Sequence, residues 1–140
     1  MGILSHEPLL TVSDVYHSSK WYQSLLDVES LYGGLDDDPD HGYDVLHADG
    51  TILIQLHGRD VDDHSFLTEA GPDSYGQGLC MYMRSDDVAS VYERAKSMDV
   101  TILNPPSVNP TPNWLELELR DPDGYYLTIF EQLEDDEALA

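Results

Sequence analysis

The stretch Asp121-Pro122-Asp123-Gly124-Tyr125-Tyr126-Leu127-Thr128-Ile129-Phe130 decides the fold. Its first four residues are a turn, and the aromatic and β-branched run after them reads as a strand. Just upstream, Trp114, Glu116 and Glu118 alternate with Leu115, Leu117 and Leu119. That period of two marks a half-buried strand. The same punctuation occurs earlier in the chain. Asp49-Gly50 follows Tyr43 to Ala48 and precedes Thr51 to His57, which predicts a hairpin.

Working outward, each hairpin is preceded by a helical pattern. Ser13 and Asp14 are candidate N-caps for a helix whose apolar stripe is Val15, Trp21, Tyr22, Leu25 and Leu26, expected to fail near Gly33-Gly34. Ser85, Asp86 and Asp87 cap a second helix from Val88 to about Met98, with Val88, Val91, Tyr92 and Ala95 as its stripe. Short strands precede both helices, at residues 7–12, where Pro8 restricts the strand to an edge or a start, and at Leu79 to Met83. Val100 to Leu103 reads as a short strand, and Pro105 to Pro112, with four prolines, as a loop. Residues 36–42 form a polar loop, and residues 58–78 a connector with one helical turn near Phe66-Leu67. Val12-Ser13-Asp14-Val15 is echoed by Ser85-Asp86-Asp87-Val88, so the chain reads as a repeat. Neither half can cover both faces of its sheet with one helix, so the two together are expected to enclose a cleft.

The bulk composition narrows the function. The chain has 140 residues, 41% of them apolar, which suits one folded domain. It carries 28 Asp plus Glu against 6 Lys plus Arg, a formal charge of -22. Such a surface repels nucleic acid and anionic membranes, so neither is an expected partner. The acidity fits a cationic ligand, a salt-adapted surface or plain solubility. One cysteine, Cys80, excludes an internal disulfide and a cysteine-based zinc cluster. No secretory signal is expected from the first residues, no apolar run is long enough to cross a bilayer, and the cytoplasm is the expected compartment.

The residues Arg120 to Glu131, around the Asp-Pro-Asp-Gly turn, resemble the closing hairpin of the vicinal oxygen chelate superfamily, which includes glyoxalases, bleomycin-resistance proteins and dioxygenases. Val12-Ser13-Asp14 through Trp21-Tyr22 to Leu26-Asp27-Val28 resembles its opening strand and helix, and Asp87 to Val100, with Tyr92-Glu93-Arg94-Ala95, its second helix. The resemblance covers nearly all of the chain except the connector and the acidic tail. It implies an α+β fold of two tandem βαβββ modules forming a curved mixed sheet around a cleft. The modules would span about 6–57 and 78–133 of a single domain, with the connector at 58–77 and the tail at 134–140. It also implies a homodimer.

In metal-dependent members of that superfamily, a divalent ion is held by His, Glu or Gln from four strands. By position, the first ligand falls on Glu7, beside His6, and the second on Gln55, although the internal repeat would put Ile54 there. The third falls on Cys80, with Leu79 as the alternative, and the fourth on Thr128, where those members carry glutamate. Glu7 and Gln55 suit a hard cation, whereas Thr128 is a weak donor and Cys80 a soft one. A catalytic site generally takes three protein ligands, so the expectation is a cleft without metal or other cofactor. The corresponding function is binding of a small organic ligand, cationic or aromatic, as in the bleomycin-resistance branch. The alternatives are a divalent-metal-dependent lyase, isomerase or dioxygenase, and a module whose cleft is covered by another protein.

Further cleft candidates follow from alternation. His57 shares a face with Gln55, although a strand end running out to solvent explains it more simply. Cys80 has no basic neighbour in sequence and is expected to be a small buried hydrophobe, while Tyr82, on the same face, is the better ligand-lining candidate. Trp114 and Glu116 share a face and could hold a cation or a ring; equally, Trp114 could cover an edge with Glu116 solvated. The histidines at 6, 17, 41, 47, 57 and 64 show no dense metal-ligand spacing, with His17 expected at the surface and His41 and His64 in loops.

Overall fold

A computed structural model describes residues 2–33, 36–59, 66–67, 69 and 71–133. The chain forms two compact units, residues 1–75 and 76–140.

In the first unit, β1 (Leu9–Val12) leads through Asp14 into α1 (Val15–Leu26), followed by β2 (Glu29–Ser30), β3 (Tyr43–Ala48) and β4 (Thr51–Gly58). The Asp14 carboxylate caps α1 by accepting the His17 N–H at 3.0 Å. The sheet order is β1-β4-β3-β2, with β1 parallel to β4 and the other neighbours antiparallel. Both edges are therefore short strands, and Pro8 lies just ahead of one of them. Val15, Tyr22 and Leu25 of α1 are buried, as are Leu10, Val12, Leu46, Ile54 and Leu56 of the strands, and α1 lies against β3 and β4. Asp49 and Gly50, at φ 49° and 83°, form the tight turn of the hairpin, where two positive φ values match the strand twist.

The helix stops earlier than Gly33-Gly34. Asp27 adopts the left-handed conformation at φ 54°, which ends α1 and lets Glu29 and Ser30 pair with His47 and Leu46. A two-residue strand is too short to leave a period, and its place is fixed by pairing with β3. Asp44 on β3 is fully buried beneath α1 and binds two neighbouring elements. Its carboxylate accepts Ser19 Oγ at 2.6 Å, Ser30 Oγ at 2.7 Å and the Val45 N–H at 2.8 Å. Three donors compensate the carboxylate for lost water.

In the second unit, β5 (Cys80–Arg84) leads through Asp87 into α2 (Val88–Ser97), β6 (Thr101–Asn109), β7 (Trp114–Arg120) and β8 (Tyr126–Gln132). The order β5-β8-β7-β6 repeats that of the first sheet, again with only the first pair parallel. Each module is therefore α+β and βαβββ, its mixed sheet carrying one helix. The fold expectation holds, as two four-stranded sheets. Val88, Val91 and Ala95 of α2 are buried, as are Leu117, Leu119, Leu127 and Ile129 of the strands.

One strand differs from its expected extent. β6 runs on through Pro105 and Pro106 to Asn109, where a loop was expected. An edge strand tolerates prolines because one side of its backbone needs no partner. The ladder to β7 is irregular between Ile102 and Asn104 and again between Asn104 and Ser107, which spans the prolines. In the connector, a helical turn forms at Phe66-Leu67 as expected, and a second at Pro72–Ser74. His64 and the acidic tail lie outside the described residues. Among the described residues, no helix is long and apolar enough to cross a membrane.

Candidate functional site

In each unit the helix covers one face of the sheet, and strand alternation assigns side chains to the other face, away from the helix. On the first sheet these are Leu9 and Thr11 of β1, Tyr43 and Val45 of β3, and Gln55 and His57 of β4, which lie side by side in register. Gln55, the residue expected at the second ligand position, therefore lies on this face. Ile54 is 1% exposed and belongs to the helix face.

A bulge accounts for the internal repeat pointing to Ile54 instead. The β3–β4 register slips between Leu46 and His47, so that Leu46 pairs with Ile54 and His47 with Ile52. Leu53 is the extra residue, and one extra residue exchanges the two faces for the rest of the strand. The β7–β8 ladder runs without a slip, and Thr128 keeps its place opposite Tyr82 and Glu118.

The face of the first sheet away from α1 is knitted by its own hydrogen bonds. Tyr43 Oη donates to Gln55 Oε1 at 2.6 Å, and Gln55 Nε2 donates to the Glu7 carbonyl oxygen at 3.2 Å. Burial pushes the Tyr43 hydroxyl above its ordinary pKa, with the Tyr32, Glu7 and Asp44 charges adding to the effect, so it remains a donor. Glu7 is exposed, and Ser5 Oγ donates to its carboxylate at 3.4 Å. His57 is 3% exposed, which corrects the reading of it as a strand end in solvent. β4 is an inner strand, and His57 is flanked by Thr11 on β1 and Tyr43 on β3. Its Nδ1 lies 2.8 Å from the Gly58 carbonyl oxygen.

The second sheet presents aromatic rings and carboxylates. Trp114 stacks on Phe130 with ring centroids 4.2 Å apart and planes inclined by 20°. Tyr82 stands 6.0 Å from Phe130, and 54% of it is exposed. Glu116 pairs across the ladder with Phe130 and lies two residues from Trp114, so its carboxylate shares the face of the stack. Glu118, next along the same face, accepts Asn104 Nδ2 at 2.6 Å. Arg84 and Arg120 also project from this face; Arg120 is engaged with Tyr126, donating to its hydroxyl at 2.7 Å. Cys80 is exposed, not buried as expected, because it begins an edge strand on the side away from the helix. Its Sγ lies 3.2 Å from Oγ1 of Thr128, which is 2% exposed.

A family model described as the glyoxalase/bleomycin resistance protein/dioxygenase superfamily matches residues 5–129. The chain belongs to this superfamily. Solved structures with the same fold include a glyoxalase/bleomycin resistance protein/dioxygenase family enzyme from Burkholderia phytofirmans, at TM-score 0.72 and 15% identity, covering 89% of this chain and 95% of that one. A protein of unknown function from Agrobacterium tumefaciens superposes at TM-score 0.71 and 18% identity over 95% and 97% of the two chains. A virulence protein from Salmonella typhimurium does so at TM-score 0.66 and 21% identity over 95% and 100%. No curated protein sequence matches the chain.

Glu7, Gln55, Cys80 and Thr128, the residues expected at the superfamily's ligand positions, are individually poor donors for an ion. Gln55 has both ends of its amide engaged, and using Oε1 for an ion would compete with Tyr43. Cys80 and Thr128 offer a thiol and a neutral hydroxyl facing each other. Only Glu7 supplies a carboxylate. Such donors do not suit a hard divalent cation, which prefers several charged or carbonyl oxygens. Among the described residues, no group of three or more His, Cys, Asp or Glu side chains is placed to hold a metal.

Proposed function

We propose that this superfamily member binds a small, flat organic molecule on the face of its second sheet away from α2, without a metal ion, and sequesters it rather than transforming it. The observation that carries this reading is the Trp114–Phe130 stack beside the exposed Tyr82 ring. Stacked rings on a sheet face extend naturally to one more planar ring. Glu116, on the same face and without a partner among the described residues, favours a ligand with a positive charge or an N–H donor at its rim. The poor donors among the residues expected at the ligand positions support a metal-free site.

Two measurements test this. Metal analysis of the purified protein is expected to find no stoichiometric divalent ion; one ion per chain would overturn the reading. A thermal-shift screen of flat aromatic amines is expected to return a ligand that raises the midpoint and quenches Trp114 fluorescence. At 100 times its Kd such a ligand adds about 2.7 kcal/mol. A broad library with no shift, or a shift preserved in Trp114→Ala, would remove the second sheet as the site.

A further inference from the structure

We infer that the first unit carries a separate binding site for a methylated ammonium group, in a depression of about 320 Å³ lined by Tyr32, Asp37, Asp38 and His41. The inference does not depend on the ligand proposed for the second sheet.

Two of the lining residues, Tyr32 and His41, carry rings, and Tyr43 lies beside Tyr32 without lining the depression. The Tyr32 ring centroid is 5.9 Å from His41 and 6.0 Å from Tyr43, and the planes are inclined by 50° and 56°. The inclined Tyr32 and His41 rings do not close into a stack, so neither covers the face of the other. A cation held within about 6 Å of an aromatic centroid is attracted by the ring quadrupole.

The rings are set on fixed backbone. The Leu31 N–H donates to the Val45 carbonyl at 2.8 Å, and the Tyr32 N–H donates to Ser30 Oγ at 3.1 Å. Ser30 is itself tied to the buried Asp44. The His41 N–H bonds the Asp38 carbonyl at 3.1 Å, and Gly42 next to it accepts the Gly58 N–H at 2.9 Å. The depression is thus anchored to the core of its own unit, which reduces the ordering a ligand must impose.

The charges select a cation. Asp37 and Asp38 face the depression, while the nearby lysine, Lys20, is held by Asp36 at 2.9 Å. Asp36 is also bonded by the Tyr16 hydroxyl at 3.2 Å. His41 Nδ1 lies 3.6 Å from the Asp38 carboxylate, and Asp37 has no partner among the described residues. A bare metal ion would need converging oxygen ligands, and no such group forms among the described residues. A primary ammonium would need several acceptors around it. Methyl groups on nitrogen instead spread the charge over a surface that packs on rings, and two carboxylates at the rim complement it without direct hydrogen bonds.

The test is a nuclear magnetic resonance titration of the full chain with tetramethylammonium chloride, against sodium chloride at equal ionic strength. The expected result is saturable movement of the Tyr32 and His41 ring signals with tetramethylammonium alone. Tyr32→Ala is expected to weaken it about fivefold, in the range for loss of one cation–ring contact. Tyr32 is 49% exposed, so its removal leaves the core intact. Asp37→Asn, which keeps the rings, is expected to weaken binding as well. An equal response to sodium, no saturation, an unchanged Kd in both variants, or movement confined to Trp114 and Phe130 would each overturn the proposal. The last outcome would leave the second-sheet reading standing, and failure of the aromatic-amine screen would leave this one standing.

Discussion

The two sheets share their strand order and their helix-capping aspartates, yet the faces away from their helices have opposite characters. On the first, Tyr43, Gln55 and the Glu7 carbonyl satisfy one another in a chain of hydrogen bonds. On the second, Trp114, Phe130 and Tyr82 form a ring cluster with Glu116 alongside. The helix faces differ too. The first is pinned by the buried Asp44, whereas the buried strand residues facing α2 are Leu117, Leu119, Leu127 and Ile129. A repeated backbone therefore fixes where side chains project and leaves their chemistry free to diverge.

The largest effect should come from Asp44→Ala in the first unit. It strips acceptors from two hydroxyls and one N–H in a dry core. Removing partners from buried donors should cost about 3 kcal/mol, read as a lower midpoint in urea. A midpoint unchanged by the substitution would mean that the two helix faces do not differ energetically. In the second unit the matching weak point is a close backbone approach. A Cβ on Gly76, at φ 80°, would sit 2.8 Å from Tyr125 Cα. Gly76→Ala should therefore cost about 2 kcal/mol by the same measurement, and a neutral result would contradict that approach.

The faces away from the helices separate by ligand affinity rather than stability. Trp114→Ala should weaken a stacked ligand about tenfold in a calorimetric titration, since it removes one side of the aromatic stack. Tyr43→Phe should leave that affinity unchanged while lowering stability by about 1 kcal/mol, the worth of its hydrogen bond to Gln55. Equal effects of the two variants on affinity would erase the distinction between the faces.

The smallest effect concerns the feature that the units have in common. Asp87 is held below its ordinary value near 3.8, first by the Ser90 hydroxyl and then by the Ser90 N–H. A depressed folded value means that its cap contributes fully above the unfolded value. That contribution fades as pH falls through the lower folded one. Asp87→Asn should flatten the acid side of the stability profile slightly, below about pH 4. An unaltered profile would show that the cap adds nothing titratable.

Much of this was legible locally. The Asp49-Gly50 turn, the caps at Asp14 and Asp87, and the alternation of Trp114 to Leu119 each depend on neighbours a few residues apart. The site was legible only in part. Alternation puts Tyr82 on a face with Cys80, and Trp114 on a face with Glu116, but their meeting at Phe130 depends on cross-strand register. The neighbouring rings of Tyr32, His41 and Tyr43 leave no period in the sequence, because His41 lies in the polar loop and the two tyrosines flank it. The short β2 and the continuation of β6 through its prolines leave no sequence signal, because pairing with a neighbour, not propensity, makes them strand.

The sequence by itself determined the duplicated βαβββ order, the two helices and the two hairpins, because turn and capping chemistry acts over a few bonds. Tertiary structure decided which side chains face away from the helices. A single bulged residue at Leu53 turns Gln55 away from the helix and Ile54 toward it, His57 on β4 is buried, and an edge position exposes Cys80. Side chains on a strand alternate with a period of two, so one inserted residue or one change of neighbour reverses a face without any mark in the local sequence.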